Sequence, residues 1–147
     1  DAVIPHYGTT PIGPDTGLRV LGDAFVCDAR RLARWTSTVV PTFYYHFTRE
    51  FAYLLPNLGA FHGAELPYLF HTPLEFISIK PHEEGFSAQL QGYWARFAAT
   101  GDPNGSGAVS WPKHDRASDR SLRLDLETRV ESGLRQADCD FWDTLLP

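Results

Sequence analysis

His62 and Glu65, set in the run GAFHGAELPYLF (Gly59–Phe70), are the side chains of this 147-residue chain best placed for proton chemistry. An imidazole, with an ordinary pKa near ~6.5, takes and returns a proton at neutral pH. For acyl transfer it needs a hydroxyl nucleophile on one nitrogen and a carboxylate on the other. Gly59 and Gly63 leave the backbone free for a close approach on either side. The plainer assignments stand beside this one: a loop histidine bonded to backbone, and a glutamate bonded to loop amides. Phe51, Tyr53, Leu58 and Phe61 flank the histidine and are candidates to line an apolar cleft, with core packing as the competing assignment.

The other histidines offer less. His6 and His82 lie in polar, proline-flanked stretches and read as solvated. His46 sits in an aromatic run and reads as a satisfied core or interface residue, and His71 and His114 fall in loops. No H-x-x-x-H pair and no Cys/His cluster is present, so no metal site is expected. Cys27 and Cys139 are too far apart for a C-x-x-C motif. Their spacing alone suits either one disulfide or two buried thiols.

Composition narrows the partners. A net charge of −5 gives no electrostatic footprint for nucleic acid or for an anionic membrane. The apolar runs fall short of the ~18–20 residues of a membrane span. The opening DAVIPHYG has neither a basic nor an apolar leader, and without an initiator methionine Asp1 reads as the product of a cut.

These side chains need elements to hold them. Residues 1–20, rich in Pro and Gly, read as an extended lead-in. A helix is expected next, with Asp23 as N-cap and Phe25, Val26, Ala29, Leu32, Ala33 and Trp35 at roughly helical spacing. VVPTFYYHFT is the best strand, apolar on both faces, as in a sheet covered on both sides. REFAYLLPN reads as a short helix, and the histidine loop follows. Next come an amphipathic helix from Phe86, with Leu90, Tyr93, Trp94 and Phe97 on one face, and its GDPNGSG stop. SLRLDLE alternates as a strand with Leu122, Leu124 and Leu126 on one side, and LRQADCDFWDTLLP reads as a terminal helix. The fold class is α/β. Two recognisable strands make no complete sheet, so the chain is expected to be part of a larger fold.

Five stretches carry a family resemblance, in order: DAFVCDARRLAR, TFYYHFT, GAFHGAELPYLF, YWARFAATGDPNG with WPKHD, and ESGLRQADCDFWDTLLP. Together they resemble the C-terminal part of a type B carboxylesterase or cholinesterase-like α/β-hydrolase. The resemblance covers nearly all of the chain after residue 20, and residues 1–147 then form the C-terminal segment of one hydrolase domain. It implies that His62 is the general base of a serine esterase. It aligns Glu65 with a buried glutamate that orients the site in the cholinesterase branch. It also places Cys27 and Cys139 on a disulfide pair, which implies an oxidising, secreted or extracytoplasmic setting.

In this fold the triad runs serine, acid, histidine. Nothing before Ala60 resembles the G-x-S-x-G elbow or a glycine-rich oxyanion loop, and Asp15, Asp23, Asp28 and Glu50 sit in no recognisable acid loop. The chain is therefore expected to be about the last third of an esterase whose serine and acid lie in an N-terminal part, either a separate chain or a removed segment. The substrate would be a small ester, without metal or organic cofactor. Alone, the chain would lack triad activity and expose apolar surface. The alternative is a non-catalytic, cholinesterase-like adhesion or binding module.

Overall fold

The computed structural model describes residues 2–8, 14–51, 59–72 and 78–145. The first long helix starts well before Asp23, as α2 (Pro14–Thr36), and a short α1 (Val3–Tyr7) precedes it. The lead-in expected to be extended is thus helical over both of these stretches. Glycine and proline content is a weak prior, and packing overrides it here. Asp23 caps nothing: it is buried inside α2, accepts the Tyr7 hydroxyl at 2.9 Å and pairs with Arg135.

α2 is inverted relative to an ordinary surface helix. Asp23, Cys27, Arg30 and Ala33, spaced four, three and three apart, form its buried face. Leu18, Leu21, Phe25, Leu32 and Trp35 are exposed, Trp35 at 67%. The buried charges are tolerated because they are paired. Arg30 donates from Nε to Asp119 at 2.8 Å and from Nη1 to Asp140 at 3.0 Å. Arg34 adds a contact to Asp119 at 3.2 Å. A disulfide between Cys27 and Cys139 joins α2 to α5 (Gln136–Leu145), with the Cα atoms 4.9 Å apart.

The sheet has three strands, β1 (Tyr45–Phe47), β2 (Arg120–Leu124) and β3 (Arg129–Ser132), in the order β1-β2-β3. β1 and β2 are parallel, with Tyr45 opposite Leu122 and Phe47 opposite Leu124. β2 and β3 are antiparallel, with Leu122 opposite Val130. The expected strand over VVPTFYYHFT shrinks to three residues, although Thr42, Tyr44 and Thr48 continue backbone bonds outside it. Leu122 and Leu124 are fully buried, but the alternation ends there: Leu126 lies past the strand and is exposed. β3 gave no sequence signal because Arg129 and Glu131 interrupt any apolar pattern.

α4 (Glu84–Thr100) packs Phe86, Leu90 and Tyr93 into a core shared with Phe47, Tyr68, Trp111, Leu122 and Leu124. Each fully buried leucine contributes about 1.5–3 kcal/mol of transfer free energy. Trp94 packs only partly against this core and Phe97 is exposed. Gly101, at φ 76°, closes α4 by donating its N–H to the Phe97 carbonyl at 2.8 Å.

Candidate functional site

β1 leads into the stretch that ends in the histidine loop, and α3 (Leu66–Phe70) leaves it. His62 is the exposed corner of a tight turn. Phe61 before it packs against the core, and Ala64 after it is fully buried. The Ala64 N–H donates to the Phe61 carbonyl at 3.0 Å and the Leu66 N–H to the Gly63 carbonyl at 3.1 Å. Gly63 sits at φ 83°, a left-handed conformation that a side chain would strain. The turn therefore pins the backbone on both sides of His62 and turns the imidazole outward.

A chain of rings ties this turn to β1. Phe61 lies 6.0 Å from Phe51, Phe51 lies 5.8 Å from Tyr68, and Tyr68 lies 6.0 Å from Phe47. Of the two settings offered for Phe51, cleft wall and core, it takes the second in this segment. At 2% exposure it is a core residue, because its ring fills the space between the loop and α3. Phe61 is half-buried beside the histidine. Tyr53 and Leu58, and most of the short helix expected around them, lie outside the described residues.

Below the turn is a carboxylate that sequence reasoning missed. Glu83 is 1% exposed. It accepts the Tyr68 hydroxyl at 3.1 Å, the Arg49 Nε–H at 2.9 Å and the Lys80 backbone N–H at 2.9 Å. One side chain thus joins the segment after β1, helix α3 and the head of α4. Burial alone would raise its pKa; the Lys80 N–H, Arg49 and Tyr68 together outweigh burial and hold it below the ordinary value. The available signal was an acidic residue in the first turn of a helix, in PHEEGF.

Among the described residues, no group hydrogen-bonds either nitrogen of His62. Its ring meets Phe25 of α2 instead, stacked at 6.2 Å with an interplanar angle of 16°. Glu65 is not on the histidine. Its charge is felt by Tyr45, whose phenol is pushed up to about 12 first by burial and then by this carboxylate.

Three of the other histidines, His114, His6 and His46, sit differently from expectation. His114 is no open-loop residue: it is buried, donates Nδ1–H to the Arg120 carbonyl at 2.9 Å and meets Tyr44 edge-on. His6 is bonded to Asp138 at 2.9 Å and stacks on Phe141, so it is not simply solvated. His46, expected to be satisfied, has a buried Nδ1 without a partner among the described residues. Among the described residues, no group of three or more His, Cys, Asp or Glu could hold a metal ion. No described helix is long and apolar enough to cross a membrane.

The loop, helix and strand order have counterparts in known proteins. The Carboxylesterase family model matches residues 16–142. The chain belongs to the carboxylesterase family. It is 33% identical over 129 residues to cocaine esterase of Homo sapiens, covering 84% of this chain and 23% of that protein. It is 32% identical over 146 residues to acetylcholinesterase 1 of Caenorhabditis elegans, covering 88% and 24%. A solved structure of a PNB esterase superimposes with a TM-score of 0.66 at 28% identity, over 74% of this chain and 23% of that one. The sheet and helices are therefore part of an α/β-hydrolase fold. The chain spans about a quarter of the length of these carboxylesterase relatives, less than the third expected.

Proposed function

We propose that this chain is the C-terminal segment of a serine carboxylesterase and supplies the triad histidine, His62. The observation that carries the reading is an exposed imidazole on a backbone pinned from both sides, with neither nitrogen engaged by a described residue. Such a ring is ready to bond two outside groups. In the complete polypeptide a serine attacks the ester carbonyl, and His62 takes its proton. His62 then protonates the departing alcohol, and water repeats the sequence on the acyl-enzyme. An Asp or Glu upstream holds the second nitrogen.

The partner of this segment is the N-terminal part of the same esterase. The exposed face of α2, with Leu18, Leu21, Phe25, Leu32 and Trp35, supports that reading, because an apolar face of this kind expects cover. The disulfide supports an oxidising, extracytoplasmic setting. The substrate class is a small carboxylic ester. Glu65 acts at a distance, through Tyr45 and the turn, without touching the ring.

The test is hydrolysis of p-nitrophenyl acetate by the complete polypeptide and its His62→Ala variant. The expected loss in kcat is about 10⁴-fold or more. Retained activity in a folded variant removes the proposal and leaves a binding module as the better reading.

A further inference from the structure

We infer that Phe25 is a positioning residue for His62, holding the imidazole by its face so that both nitrogens stay free. The inference rests on the reading of His62 as the general base. A triad histidine must be oriented, yet its two nitrogens are committed to the serine and the acid. Stacking is the contact that orients the ring while leaving its edge open. The structure has that contact: the Phe25 ring lies nearly parallel to the imidazole, at 16° and 6.2 Å between centroids. Among the described residues, no hydrogen bond competes with it.

Phe25 is itself well anchored. Two residues on, Cys27 is bonded to Cys139, and one turn later Arg30 is paired with Asp119 and Asp140. These ties lie on the opposite face of α2, so the helix is fixed from behind while Phe25 projects from the front. The Phe25 side chain is 64% exposed in this segment and belongs to the apolar face of α2 that the N-terminal part would cover. One of its neighbours is the imidazole. The turn fixes the His62 backbone, and Phe25 limits the swing of the side chain. A misplacement of about 1 Å in such a group can cost a hundredfold in rate.

The experiment is steady-state ester hydrolysis by the complete polypeptide carrying Phe25→Ala, Phe25→Leu, Phe25→Tyr or His62→Ala, each with a melting curve. Phe25→Ala is expected to lower kcat about 10–100-fold with KM within about threefold. Phe25→Leu keeps apolar bulk without a flat ring and is expected to fall several-fold in kcat at unchanged melting temperature. Phe25→Tyr keeps the ring and is expected to stay within about twofold. If Phe25→Ala does not fold, Phe25→Leu decides. A Phe25→Leu variant with unchanged kcat, or a change confined to KM, overturns the inference while leaving His62 in place. An active His62→Ala variant overturns the underlying reading as well.

Discussion

Tyr68 donates its hydroxyl to Glu83 at 3.1 Å, joining the helix that leaves the histidine turn to the head of α4. The same carboxylate takes Arg49 and the Lys80 N–H, so three segments meet at one buried charge.

Glu83→Gln should therefore destabilise the complete polypeptide by about 2–3 kcal/mol, the usual cost of losing bonds to a buried charge. The pH dependence follows from the direction of the shift. The folded pKa lies below the ordinary value of 4.5, so the wild-type contribution is full above that value. It is lost as pH falls through the folded pKa. Denaturant melts from pH 7 to pH 3 should show the gap between wild type and variant closing below about pH 4.5. A gap that stays constant to pH 3 removes Glu83 as the source.

The disulfide closes a long loop, with Cys27 and Cys139 standing 112 positions apart in the sequence. The chain-entropy model gives about 4–5 kcal/mol for such a loop. The Cys27→Ser, Cys139→Ser double variant should melt several degrees below wild type, and reductant should lower wild type to the same point. A double variant that melts with wild type would mean that α2 is held without the disulfide, by pairs such as Arg30–Asp119.

Glu65 and His62 should separate cleanly in kinetics. Glu65 lies by Tyr45 and not on the imidazole, so Glu65→Gln should lower kcat/KM by less than about tenfold, against about 10⁴ or more for His62→Ala. Equal losses in the two variants would place Glu65 at the reacting atoms and contradict the arrangement described.

On the proposed reading, the 147-residue segment alone should show no saturable turnover of p-nitrophenyl esters, only the slow background rate of free histidine side chains, since among the described residues no serine hydroxyl bonds the His62 ring. It should also bind a hydrophobic dye through the α2 face, and supplying the N-terminal part should reduce that binding. Esterase turnover by the segment alone would contradict this division of labour.

Much of this was legible in the residues. α4 announces itself through Leu90 and Tyr93 and ends at the glycine that follows Thr100, because both signals are local. The motif around His62 marked the turn, and the order of motifs marked the family. Phe51 was not legible: an aromatic next to a histidine reads equally as wall or core, and only its contacts with Phe61 and Tyr68 decide. β3 was silent because a short, half-exposed strand leaves no apolar period to detect.

The sequence by itself determined the helices with local periodicity, the α/β class and the family. Which face of α2 is buried was decided only in three dimensions. Its apolar stripe pointed one way, but the carboxylates that neutralise Arg30 arrive from 89 and 110 residues further along the chain. Periodicity reports on neighbours within a few turns. Pairing a buried charge, and laying Phe25 against His62, depend on contacts between residues that the chain keeps far apart.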